Sequence, residues 1–216
     1  MSTSRRGFFG RLFGHRPFRQ GCFALQLVLH ADGMPGLRGR LHALMDGPPE
    51  EDPAAKRRYY KQLSGLLREA EPFFEYGAFV YDDDERSAAT EFETWVSEIE
   101  AGMATEEAEL GDEVDGHHRL DRDKRYIVVS LVFLLTKPHP WHDALDHDDE
   151  EAYTRPRMAE LVDSINLFDF VAGVEADATF LVPGSEQDGF SWSDLADEGW
   201  EHLHLLHSGS TVSLDP

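Results

Sequence analysis

Residues Arg125–Leu135, RYIVVSLVFLL, decide how this chain is read. After the first residue every position except Ser130 is apolar, and Tyr, Ile, Val and Phe favour a pleated strand. A strand with one wet face alternates polar and apolar residues. A continuous apolar run instead requires burial on both faces, which places this strand at the centre of a sheet with cover on each side. The run is too short for a membrane helix, which needs about 20 apolar residues.

The flanking sequence supplies that cover. Upstream, CFALQLVLHA (Cys22–Ala31) reads as a first strand, and Phe73–Tyr81 as a second, closed by Asp82-Asp83-Asp84. Between them lie a short helix, Leu37–Met45, and a longer one running to Ala70. The longer helix opens with Asp52 as N-cap and Pro53 at its first position. Its apolar residues Tyr59, Tyr60, Leu63, Leu66, Leu67 and Ala70 recur at helical spacing. A third helix spans Glu85–Gly102, with Phe92, Trp95, Val96, Ile99 and Met103 on one side. The acidic stretch Thr105–Asp123 lacks apolar periodicity and reads as a surface excursion.

Downstream, a polar loop (Lys137–Tyr153) precedes a helix at Pro156–Leu167. A fourth strand, Val174–Val182, follows and is ended by Pro183-Gly184. A last helix is expected near Ser191, where Asp194 three residues on forms an imperfect capping box. Strands separated by helices throughout predict an α+β fold, with an about four-stranded mixed sheet and helices packed against it. Residues 21–207 form one α+β domain in this reading, with a basic arm at 1–20 and a tail at 208–216.

The charge is strongly asymmetric. The 216 residues include 42 acidic and 20 basic side chains, a formal net charge of -22, and 41% are hydrophobic. That apolar content suits a packed core, whereas the negative surface disfavours nucleic acid, whose phosphates require clustered Lys and Arg. The single cysteine, Cys22, rules out an internal disulfide and reads as a small buried apolar residue.

The basic charge is concentrated at the start, in SRRGFFGRLFG (residues 4–14). Residues 1–20 hold five Arg and no acid, so they carry +5 while the remainder carries -27. The Ser-Arg-Arg-x-Phe opening is similar to a twin-arginine export signal. The apolar segment such a signal needs is interrupted by Arg11, His15, Arg16 and Arg19, so a retained arm is the expectation. On a helical wheel Phe8, Phe9, Leu12 and Phe13 share one side, poised to enter an anionic membrane interface while Arg5, Arg6, Arg11, Arg16 and Arg19 meet headgroups. Gly7, Gly10 and Gly14 weaken that helix, and an arm lying free or folded on its own acidic domain is the alternative.

The loop HPWHDALDHDDEE (139–151) carries the metal candidates. His139, His142, Asp143 and His147 are donors of the type that holds zinc or a similar ion, although a preformed site needs ligands fixed by further contacts. His202, His204 and His207 read as surface residues. The chain contains no Gly-x-Ser-x-Gly turn, no Gly-x-x-x-x-Gly-Lys, no Gly-x-Gly-x-x-Gly and no His-Glu-x-x-His.

Several of these segments also carry a family resemblance. FALQLVLHADGMPGLRGRLHALM, LSGLLREAEPFFEYGAFVYDDD, EFETWVSEIE, RYIVVSLVFLL, MAELVDSINLFDF, ATFLVPG and SWSDLADEGWEHLHLL occur in this order. Together they resemble an uncharacterised family of cyanobacterial and plastid proteins that includes a chloroplast fluctuating-light-acclimation protein. Leu181-Val182-Pro183 stands where that family has Trp-Thr-Pro, and the basic arm where it has an apolar membrane segment. The resemblance implies no known reaction and points to a membrane-associated, non-enzymatic role.

The expectation from the whole sequence is a binding, adaptor or regulatory module without a cofactor. Its partners would be a protein and an anionic membrane surface, not nucleic acid, and its location cytoplasmic, at the inner membrane face. The alternative is a metal-binding protein or metal-dependent hydrolase built on loop 139–151.

Overall fold

The computed structural model describes residues 18–45, 51–109, 125–141, 145, 153–184, 189–196 and 199–209. In chain order the elements are β1 (Gly21–His30), α1 (Leu37–Met45), α2 (Pro53–Glu69), β2 (Phe74–Asp82), α3 (Ala88–Glu109), β3 (Tyr126–Leu135), α4 (Arg155–Ser164), β4 (Val174–Val182) and β5 (His204–Leu205). The sheet has five strands in the order β4-β3-β1-β2-β5, and every neighbouring pair is antiparallel.

This corrects the expected four-stranded mixed sheet, and the connections supply the reason. β1 ends beside the start of β2 (Leu29 opposite Phe74), so α1 and α2 carry the chain out and back to one end of the sheet. The β2-to-β3 connection, which includes α3, instead leads from one end to the other. β2 and β3 therefore run parallel to each other, but β1 lies between them and opposes both. The fifth strand is only two residues long, too short to show a period of two.

β3 is buried on both faces, as its sequence predicts, but the central place in the sheet belongs to β1; β3 lies second from one edge, where β4 and the layers on both faces cover it. Ile127, Val129, Leu131, Phe133 and Leu135 join Phe23, Leu25, Leu27 and Leu29 of β1 in the main core, beneath α1, α2 and α4. The alternate residues Val128, Val132 and Leu134, with Cys22, Ala24 and Val28, face α3 and the C-terminal segment. Each fully buried Leu, Val or Phe side chain in these layers contributes about 1.5–3 kcal/mol of transfer free energy.

Local signals explain the helix starts. Asp52 caps α2 by accepting from the Ala55 amide at 2.8 Å, and Thr154 caps α4 by accepting from Arg157 at 3.3 Å. α2 turns Tyr60, Leu63, Leu66 and Leu67 inward, as its spacing requires. α3 continues to Glu109, beyond the expected Gly102; Ala and Glu are good helix formers even without an apolar stripe. The last expected helix is reduced to a single 3-10 turn, Asp194–Ala196. Its capping box nonetheless forms: the Ser191 amide donates to Asp194 at 2.7 Å and the Asp194 amide to Ser191 Oγ at 3.3 Å. Gly199, at φ 109°, then turns the chain away in a conformation open to glycine.

Candidate binding surface on the C-terminal segment

The arm residues Arg5, Arg6, Phe8, Phe9, Arg11, Leu12, Phe13 and Arg16 lie outside the described residues, as do His142, Asp143 and His147 of the acidic loop. Where the arm joins β1, Arg19 pairs with Glu85 at 2.9 Å and Gln20 donates to Glu175 at 2.7 Å.

His139 is described, and it is a core residue with 0% exposure. Its ring lies 4.6 Å from that of Phe23 and 5.3 Å from that of Phe168, centroid to centroid. Nδ1 accepts the Trp141 amide at 3.0 Å, so the proton sits on Nε2 and points to Ser164 Oγ at 3.1 Å. Ser164 passes its own proton to the Leu161 carbonyl at 2.6 Å. Both ring nitrogens are thus engaged inside the protein, and neither offers a lone pair to an ion in this arrangement. Among the described residues no group of three or more His, Cys, Asp or Glu is placed to hold a metal.

Other reactive side chains in the core are similarly occupied. Cys22 is fully buried, and burial, reinforced by Glu91 and Asp82, pushes its thiol up to about 12, far from the thiolate that nucleophilic chemistry needs. Asp177 on β4 is held by Lys56 and by the Tyr60 hydroxyl at 2.7 Å, both from α2. Burial first and Asp177 second raise the Tyr60 phenol well above its ordinary value, while Tyr59 meets Thr179 at 3.0 Å. These contacts fasten α2 to β4.

Among the described residues four large apolar side chains are exposed: Leu167 and Val171 on the connection from α4 to β4, and Trp192 and Leu205 on the C-terminal segment, where they lie beside one strand. From Phe190 onward the chain crosses the α3 side of the sheet from the β4 edge to the β2 edge. Phe190 exchanges two backbone hydrogen bonds with Tyr126, at 3.0 and 2.8 Å, and Trp200 and Leu203 pack near Val28, Val128 and Val182. The segment then pairs with β2 through β5, and Leu206 reaches the main core on the other face. Gly77 permits this passage, because a Cβ there would stand 3.2 Å from Met158 and 3.3 Å from Leu206.

A polar triad lies beneath this crossing. Gln26 and Ser130, opposite each other on β1 and β3, are both buried, and the Gln26 amide nitrogen donates to Ser130 at 2.8 Å. That leaves Gln26 Oε1 to accept from His202 Nε2 at 2.6 Å. Edge-on contact with Trp95, at 5.7 Å, completes the seat of the His202 ring. His202 and His204 are exposed as the sequence suggests, but neither is idle: His204 stacks on Tyr153 at 3.7 Å.

Beside the crossing Trp192 is 58% exposed and Leu205 52% exposed, with Trp192 leaning on Tyr76 at 5.4 Å and Leu205 paired to Tyr76 in register. Large apolar side chains left this open on a rigid frame are characteristic of contact surfaces. The sequence signals were Ser130 and Gln26, polar residues inside apolar strands; nothing local in the sequence tied either to His202. Compared with known proteins, the chain matches no family model, no curated protein and no solved structure, so the family resemblance rests on the sequence patterns alone.

Proposed function

We propose that the chain is a binding module, an adaptor or regulator, that engages a protein partner through the Tyr76–Trp192–Leu205 surface. One contrast carries this reading: Cys22, Asp177 and His139 are engaged within the fold, while Trp192 and Leu205 stand more than half exposed on a segment pinned to the sheet. Aromatic anchors on a rigid support lose little entropy on binding and supply much of the energy of interfaces. The partner's surface is basic, complementing the -22 net charge. The +5 arm would hold the module against an anionic membrane surface; among the described residues no helix is long and apolar enough to cross one.

The test compares tagged wild-type chain with Trp192→Ser in quantitative capture from host extract. A partner recovered by the wild type and reduced about thirtyfold by the variant, at unchanged melting temperature, supports the reading, since such a loss equals one hot-spot side chain. Identical recovery by both overturns it. Flotation with phosphatidylglycerol vesicles, with and without residues 2–17, tests the arm separately; equal binding of the two forms removes the membrane part.

A further inference from the structure

Leu167 and Val171, apart from the Trp192 surface, stand 61% and 81% exposed on the connection from α4 to β4. Phe168 and Phe170 beside them are buried in the main core, so the segment is firmly seated. The turn is also braced from within. The Asp169 carboxylate accepts from the Val171 amide at 3.1 Å, and the Thr136 hydroxyl donates to the Ala172 carbonyl at 3.0 Å. Large aliphatic side chains held outward on a fixed backbone mark a contact surface.

This turn lies along α2. Phe170 stacks on Tyr60 at 5.0 Å, and Asn166 donates to Ser64 at 2.8 Å, so Leu167 and Val171 flank the helical turn that carries Lys61. Lys61, Arg57 one turn before it and Arg58 are all exposed. Among the described residues none of these three cations has an acidic partner. The carboxylates around them are already engaged: Asp163 by Arg68 at 3.6 Å, Asp169 by Lys137 at 2.5 Å, and Asp52 by the cap of α2. Glu93, Glu98 and Glu100 belong to α3 on the opposite face of the sheet, where salt screens them with a Debye length of about 8 Å. A chain that is acidic as a whole thus carries one locally cationic face edged by aliphatic side chains.

We infer that the Leu167–Val171 turn and the adjoining Arg57–Lys61 face of α2 dock on an anionic lipid surface. Leu167 and Val171 enter the boundary between headgroups and acyl chains, while Arg57, Arg58 and Lys61 meet the lipid phosphates. Shape favours lipid over an acidic protein segment. The two aliphatic side chains form a ridge, which a bilayer accommodates by yielding, whereas a helical partner needs a concave floor. Position points the same way. Gly21, where the chain from the basic arm enters β1, shares one end of the sheet with Leu135 and Val174, and Gln20 donates to Glu175 at 2.7 Å close to the turn. Two weak contacts at one end of a molecule reinforce each other. Trp192 leans on Tyr76 on the α3 side, so a docked chain leaves that surface on the far face of the sheet. The inference rests on the membrane part of the proposed function but adds a contact independent of the arm.

The experiment measures binding of the full chain to mixed phosphatidylglycerol and phosphatidylcholine vesicles at physiological salt. An environment-sensitive dye on Val171→Cys should shift to shorter wavelength with these vesicles and stay unchanged with phosphatidylcholine alone. The same dye on Thr94→Cys, exposed on α3, should not respond to either. Combined Arg57→Gln, Arg58→Gln and Lys61→Gln should weaken binding about a hundredfold, the product of about fivefold per cation. Leu167→Ser with Val171→Ser should weaken it about tenfold. All five side chains are exposed, so melting temperatures should match the wild type. Full-strength binding by both variants, or an unresponsive dye at position 171, overturns the inference and leaves the arm to its own truncation test. A chain lacking residues 2–17 that binds as the wild type does, with the dye at 171 still shifting, removes the arm and supports the patch. A shift with soluble poly-glutamate and none with vesicles would assign the patch to an acidic protein and equally overturn the inference.

Discussion

Gln26 and His202 meet at 2.6 Å although 176 positions separate them in the chain. Gln26 has already committed its amide nitrogen to Ser130, so its orientation is set and His202 must be the donor. One side chain in mid-strand thereby fixes where the C-terminal segment crosses the sheet, and with it the positions of Trp192 and Leu205.

Although His202 as a residue is exposed, its ring is partly covered by Gln26 and Trp95. This burial is the main force holding it below its ordinary histidine value, with a smaller push from His204; Glu201, Glu98 and a bond to the Gly199 backbone oppose it. The folded chain thus binds this proton less readily than the unfolded chain. Stability from this group is complete above the unfolded value, about 6.5, and is lost as pH falls through the lowered folded value. Melting temperatures of wild type and His202→Gln between pH 8 and pH 5 should diverge in that window, the wild type losing more. A constant difference across it contradicts the assignment.

Removing the buried carboxylate of Asp177 strands Lys56 and the Tyr60 hydroxyl. Asp177→Ala should cost about 3 kcal/mol in urea unfolding, the scale for breaking a buried pair. Lys56→Met, which leaves the buried Asp177 carboxylate with only the Tyr60 hydroxyl, should cost at least as much. Equal, negligible effects would show that α2 is not fastened to β4 by this contact.

The Cys22 thiol should be silent. Ellman's reagent at pH 8 should leave it unmodified in the native protein and titrate one thiol per chain in denaturant. Rapid native reaction would mean that the α3 layer opens readily over β1.

His139→Ala should destabilise by about 3 kcal/mol, combining a cavity among Phe23, Tyr81 and Phe168 with lost partners for Ser164 and the Trp141 amide. Micromolar zinc should not alter the wild-type melting temperature. A zinc-dependent rise abolished by His142→Ala would restore the metal reading of the loop.

Much of the fold was legible because periodicity reports burial. The unbroken run of β3 announced two covered faces, and Asp52-Pro53 announced the start of α2. Antiparallel order was not legible, since an intervening helix looks the same whether the chain returns to one end of the sheet or crosses to the other. The Ser191–Asp194 box was visible and formed, but Gly199 limits the turn that follows. Of the candidate surface, the sequence displayed Ser130 and Gln26 as polar interruptions. Their partner came from a distant segment, where pairing depends on topology and not on spacing.

The most direct test of the binding-module claim places a benzophenone amino acid at position 192 of the intact chain in its host and irradiates the cells. Position 65, where a side chain on α2 meets open space, serves as the control. One dominant protein adduct from position 192, absent from position 65, is the expected result. The same adducts from both positions, or none from 192, would contradict the claim.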